Sequence, residues 1–209
     1  MVRTAFVAAP LFLLLGVLGM KLGWKPNPDL DWTIALPMWT AAHVAYIIGN
    51  LAMLVVVATL WTRTRDAARH AAERLSVGVV ALAGVVGTVA MTGQMVIDLI
   101  VGFRASARSE MSAISRSIKA LPGFENFFYG VIPALGLAAV AVLALVAAGR
   151  RQMPVWPAAV FLVASLAIGS GITALMIIGG VASCFALPAM VRRARAARPS
   201  DAGGVAVAS

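Results

Sequence analysis

The chain has 209 residues, 61% of them apolar and only 12% charged, with a net charge of +9 and a mean hydropathy of +0.94. Soluble domains carry about 45–50% apolar and about 25% charged residues, so this chain lacks the side chains to cover a water-facing surface. A water-soluble domain is excluded, and an all-α integral membrane bundle is expected in its place.

The basic residues lie in short blocks between apolar runs, so membrane topology accounts for them and no nucleic-acid partner is expected. Cys184 is the single cysteine, which rules out an internal disulfide and a thiolate metal cage. The only histidines, His43 and His70, fall on opposite sides of the membrane in the topology below. Neither a metal nor a cofactor is therefore expected. The expected partners are the lipid bilayer and an apolar small molecule, and no oligomeric state is legible.

Apolar runs of about 17–25 residues read as spanning helices. They fall at 5–20, 38–61, 77–101 and 128–148, followed by one long run, 155–191. Gly169-Ser170-Gly171 divides that run as a glycine-rich turn, giving short helices at 155–170 and 172–191. The expectation is a bundle of six transmembrane helices, with five as the alternative. Arg3 and Leu11–Leu18 have the look of a signal peptide, but Lys21-Leu22-Gly23-Trp24 stands where a small-residue cleavage site belongs. An uncleaved first span is expected. The single multi-pass domain covers 1–198, and the small, polar tail 199–209 is expected to be disordered.

Orientation follows from the arginines and lysines of the short loops. Arg3, four arginines in 62–76, Arg150, Arg151, and Arg192, Arg193, Arg195 and Arg198 gather on one side. Lys21, Lys25, Arg104, Arg108, Arg116 and Lys119 gather on the other. Six spans put the larger group and both termini in the cytoplasm, at the cell membrane, whereas five would strand the tail arginines outside. Trp61 and Trp156 then sit at inner helix ends, and Trp24, Trp32 and Trp39 crowd the outer side.

The connections differ in character. Residues 21–37 hold Pro26, Pro28 and Pro37 with Asp29 and Asp31, which favours an ordered turn over a long helix. In 105–121, Met111, Ile114, Ile118 and Leu121 recur at helical spacing among charged residues, which predicts a short amphipathic helix in the outer interface. The inner connection Thr62–Ser76 reads as a solvated helical extension supported by Asp66, Arg69 and Glu73.

Ionisable groups inside a bilayer are expensive and are kept where they face protein, water or substrate. Asp98 is a lone acid at the end of the 77–101 run. Gln94 precedes it at i−4 on the same face. On the second span His43, Tyr46 and Asn50 are spaced i, i+3, i+7 and share a face. The two helices run antiparallel, and counting 1.5 Å per residue from their outer ends puts His43 level with Asp98. Two polar stripes at matched depth predict a pocket opening outward. Glu125, Asn126 and Tyr129 begin the fourth span at that level and are placed on the third side.

An acid held in low dielectric beside an imidazole suits protonation of an olefin or epoxide. Aromatic faces then stabilise the resulting carbocation. In this reading Asp98 is the general acid, and His43 is its partner or the terminating base. Trp39, Tyr46, Asn50, Gln94, Glu125, Phe128 and Tyr129 surround the substrate, with Phe127 nearby. The chain's size, its helix number, Trp39-x-x-x-His43 and Pro122-Gly123-Phe124-Glu125…Tyr129 resemble small bacterial multi-pass membrane proteins, among them membrane-bound terpene cyclases. The resemblance lies in layout rather than in one discriminating motif. It implies a metal-independent enzyme that protonates a prenyl chain with a membrane-buried acid. Two other classes fit the composition. One is a transport or immunity protein binding a proton or cation at His43 and Asp98. The other is an accessory subunit docking through small residues such as Gly78, Ala81, Gly84, Gly87, Gly136 and Ala139.

Overall fold

A computed structural model describes residues 2–24 and 31–191, and every regular element among them is helical. The helices are α1 (Val2–Leu18), α2 (Trp32–Asp66), α3 (Ala71–Arg104), α4 (Arg108–Lys119), α5 (Leu135–Gly149), α6 (Val155–Gly169) and α7 (Thr173–Met190). A π-helical turn, Gly19–Trp24, continues α1, and a second one, Glu125–Tyr129, precedes a 3-10 turn, Ile132–Ala134, that leads into α5. Side chains 25–30 and 192–209, including the tail arginines and Pro26, Pro28 and Asp29, lie outside the described residues, as does the side chain of Trp24.

Five segments are long and apolar enough to cross a membrane: Val2–Gly23, Trp32–Asp66, Ala71–Arg104, Glu125–Gly149 and Thr173–Met190. The sixth apolar helix, α6, has 15 residues, about 22 Å of rise against a hydrocarbon layer of about 30 Å. The division of the 155–191 run falls at the glycines: α6 ends at Gly169 and α7 begins at Thr173. Gly171 takes φ +73° there, a conformation that glycine adopts without steric cost.

Two expectations about the helix starts on the outer side are corrected. The stretch 21–37 is not a turn throughout, because α2 starts at Trp32 with Pro37 inside it. Asp31 caps it by accepting from the Thr33 backbone N–H at 2.8 Å and the Thr33 hydroxyl at 2.6 Å, so the helix starts upstream of the proline that was expected to delay it. The fourth span is not one regular helix from 128. Its first part is the π turn, a bend and the 3-10 turn, and α-helix begins only at Leu135. Irregular backbone at membrane depth is tolerated where it is buried in protein or lines a cavity.

The long helices close a ring: α1 packs on α2 and α7, α3 on α2 and α5, and α6 on α5 and α7. We call the end holding the 67–70 and 150–154 connections inner and the opposite end outer, after the charge pattern. The small residues of α3 and α5 are used inside this ring. A β-carbon on Gly84 would stand 2.8 Å from that of Ala139, and one on Gly87 would strike the Gly136 nitrogen and the Ile132 carbonyl, 2.8 Å away.

The inner half is solid. Phe6, Met53, Val56, Val57, Leu60, Val140, Leu143, Ala144, Phe161, Leu187 and Met190 form one buried cluster. Arginines strap its end by donating to helix C-terminal carbonyls, which carry negative partial charge. Arg63 Nη1 donates to Met190 O at 3.1 Å, and Gln152 Nε2 donates to Arg63 O at 2.8 Å. Arg150 donates to Thr64 O and, at 3.1 Å, to Glu73 Oε2. Glu73 Oε2 also accepts from the Arg69 backbone N–H at 3.0 Å. The 62–76 connection is thus two helix ends and a break at 67–70 rather than one extension.

At the outer end α4 is present as the amphipathic helix, somewhat shorter than 105–121. Met111, Ile114 and Ile118 pack against Ala35, Leu36, Trp39 and Val101 at the ends of α2 and α3.

Candidate functional site

The ring surrounds a partly open cavity of about 880 Å³, within the size range of small-molecule sites. Its inner limit is the apolar cluster, met at Met53, Ala141, Phe161 and Leu187. Its outer limit carries Lys21, Asp98, Tyr129, Gly130 and Ser170. The stripes on α2 and α3 converge here: His43, Tyr46 and Asn50 face the cavity from one helix, and Thr88, Met91, Gln94 and Asp98 from the other.

Asp98 is the centre of the polar end. Its Oδ1 accepts from the Tyr129 hydroxyl at 2.7 Å, and its Oδ2 lies 3.7 Å from His43 Nε2. His43 is almost fully buried, while 18% of the Asp98 side chain remains accessible, enough for a small group in the cavity to reach the carboxyl. The other imidazole nitrogen, Nδ1, is 2.7 Å from the Trp39 carbonyl. A carbonyl only accepts, so Nδ1 carries a hydrogen. In the neutral ring Nε2 is then the lone-pair nitrogen, and it faces the carboxyl. Trp39 reinforces the arrangement: its indole N–H donates to the Asp98 backbone carbonyl at 3.1 Å, and its ring lies 4.0 Å from the imidazole, centroid to centroid. The Lys119 ammonium, from α4, sits 4.0 Å from the centroid of the Tyr129 ring, which is cation–π distance.

Below this cluster the hydroxyls are tied to their own helices. Thr88, Ser165 and Ser183 donate to Gly84, Phe161 and Gly179 carbonyls at 2.7–2.8 Å. Asn50 Nδ2 likewise donates to Tyr46 O at 2.9 Å. The deep part of the cavity therefore presents a mainly hydrocarbon wall. Among the described residues no three His, Cys, Asp or Glu side chains gather where they could hold a metal ion.

Asp98, His43, Tyr46, Asn50, Gln94 and Tyr129 are brought together at the cavity. Trp39, Glu125 and Phe128 are not. Trp39 is buried behind His43 and braces it. Glu125 is exposed on the π turn. Phe128 packs against Gly93 of α3 and the rings of Phe124 and Phe127, at 5.1 and 4.9 Å. The cause is local: the π turn changes the angular spacing of 125–129, so only Tyr129 of this group reaches Asp98. The wall also includes residues that sequence reasoning passed over: Lys21, Leu13, Leu14 and Val17 near α1, and Gly180 and Leu187 of α7. Lys21, a charge directly after an apolar span, was the only one carrying a signal. The rest are indistinguishable from ordinary span residues.

No protein family, no curated protein and no solved structure matches this chain, so the site is read from its own chemistry.

Proposed function

We propose that this chain is an integral membrane enzyme of six spanning helices, with both termini on the cytoplasmic face and α4 along the outer interface. Its activity is the acid-initiated cyclisation of a lipophilic, prenyl-type substrate. One observation carries the reading: a carboxyl group with two defined polar neighbours sits at one end of a partly open, largely hydrocarbon chamber.

The roles follow from the contacts. Asp98 gives its proton to a terminal olefin or epoxide, and the Tyr129 hydroxyl stabilises the carboxylate left behind. The carbocation closes a ring inside a chamber whose walls exclude water, with Tyr46 and Phe161 offering aromatic faces. The reaction sequence ends when a proton leaves the cation for His43 Nε2, and closing the 3.7 Å separation to hydrogen-bond distance, about 2.6–3.2 Å, returns it to Asp98. Product and substrate are isomers, and no co-reactant is consumed. The resemblance in layout to membrane-bound terpene cyclases points the same way.

The competing classes have less support. A carrier needs polar groups through the inner half, where the cavity stops against the apolar cluster. An accessory subunit was inferred from small-residue stripes, and Gly84, Gly87, Gly136 and Ala139 are used in packing α3 on α5.

The test is product analysis with purified protein in lipid nanodiscs and a panel of linear prenyl chains ending in an olefin or an epoxide. A ring-containing isomer of unchanged mass is expected from the wild type and not from Asp98→Asn. Recovery of every chain unchanged, or the same product from the variant, overturns the reading.

A further inference from the structure

We infer that the chamber is loaded sideways from the bilayer, through a gap between the outer parts of α5 and α6, by a single-chain amphiphile that points its oxygen-bearing head at Asp98. The inference rests on the chamber of the proposed function but not on its chemistry.

Residues that line the cavity and are themselves exposed occur together on and beside these two helices. Ala134, at the end of the 3-10 turn, and Ala138 and Val142 of α5 follow each other at i, i+4, i+8. Leu166 and Gly169 mark the facing edge of α6, and Leu166 is 68% exposed. A wall residue visible from outside marks an opening, and the bundle's outside is lipid.

The two helices form a hairpin joined at its inner end by 150–154. There they are sealed: Ala144, Ala147 and Ala148 of α5 and Ala158 and Phe161 of α6 belong to the buried cluster. As a pair they share the least contact of any neighbours in the ring, and none of the buried-cluster residues of α6 lies beyond Phe161. The edges of the gap are small at Ala134, Ala138 and Gly169. The shortness of α6, about 22 Å of rise, leaves its outer end within the hydrocarbon layer rather than at the headgroups. The turn that follows is fit for that setting, since Ser170 Oγ donates to Ala167 O at 2.7 Å and accepts from the Ile172 N–H at 3.2 Å. Backbone groups in lipid need such internal partners.

The occupant's form follows from the chamber. Its polar groups cluster at Asp98, His43, Tyr129 and Gln94, and its deep end is hydrocarbon at Met53 and Leu187. Between His43 and Met53 the α2 axis rises about 15 Å, which sets the length of chain that fits below the head. A membrane-dissolved substrate reaches such a portal from either leaflet, so synthesis in the cytosol is compatible with a chamber whose polar end faces outward.

The test uses a photoreactive probe, a long-chain fatty alcohol carrying a diazirine near its methyl end, added to the full chain in nanodiscs. Irradiation and peptide mass spectrometry map the labelled residues. Labelling at Met53 is expected in the wild type. The paired change Ala138→Trp and Leu166→Trp, both at exposed positions, is expected to slow Met53 labelling about tenfold, while Leu166→Ala speeds it. Val163→Trp, on the exposed lipid-facing side of α6, is expected to leave the rate unchanged. Unlabelled Met53, or labelling at the wild-type rate when the gap is blocked, overturns lateral loading. Normal labelling without any cyclised product leaves lateral loading standing and overturns only the chemistry, so the two proposals fail separately.

Discussion

The inner half of the bundle uses its polar side chains on its own backbone, whereas the outer half turns them toward a chamber. Arg63, Arg150 and Gln152 all end on helix C-terminal carbonyls. Asp98, His43 and Tyr129 end on one another at the edge of an opening. The first arrangement closes the inner end on backbone while leaving Trp61 Nε1 and Gln152 Oε1 buried without a partner, and the second leaves a carboxyl accessible. On the proposed reading, stability and chemistry are separated along the bundle axis, and substitutions in the two halves are expected to read out differently.

The largest effect is expected in the outer half. Asp98→Asn should lower turnover by about 10²–10⁴-fold, the usual range for loss of a general acid, with the thermal midpoint unchanged. A fall in both would merge the two halves. Next is Gly87→Leu, which forces a side chain against the Gly136 backbone. It should destabilise the fold by about 1–3 kcal/mol, measured by thermal unfolding in detergent. Arg150→Met at the inner end should cost about 1–2 kcal/mol through its lost charged hydrogen bonds, a figure reduced by the partial exposure of Glu73. Turnover at saturating substrate should stay at the wild-type value, and a loss of activity would break the separation.

The smallest effect lies outside the spans. Hydrogen bonds from the Thr33 hydroxyl and backbone hold the Asp31 carboxyl below its ordinary 3.8. A group whose folded value is depressed stabilises above its unfolded value and loses that contribution as pH falls through the folded one. Asp31→Ala should therefore unfold slightly earlier than wild type at neutral pH. The two midpoints should begin to converge below about pH 3.9 and meet once the pH lies below the folded value. A difference that persists in acid would assign the cap no carboxylate role.

Much of the outer site was legible because its signals are local. The spacings His43–Tyr46–Asn50 and Gln94–Asp98 fix helix faces, and helical rise fixes depth, so two consecutive antiparallel helices suffice to predict a meeting. Errors began where helix geometry changed. The π turn at 125–129 carries no marker that distinguishes it from an ordinary helix start, and it sends Glu125 and Phe128 away from the cavity. Trp39 was assigned to the substrate because it is aromatic at the right depth, whereas its indole N–H and carbonyl serve Asp98 and His43. The contributions of α1 and α7 were invisible, since Leu14, Val17 and Leu187 look alike whether they face lipid, core or chamber. The division at Gly169–Gly171 is legible from composition, but the sparse contact between α5 and α6 is a property of packing and leaves no trace in either helix alone.

The central claim is that α2 and α3 act as one unit through His43 and Asp98. A double-mutant cycle on turnover tests it, with Asp98→Asn, His43→Gln and the combined variant assayed in the same bilayer. Groups that work together are non-additive, so the combined variant should be no slower than Asp98→Asn alone. Losses that multiply, or an Asp98→Asn protein that turns over at the wild-type rate, would contradict it.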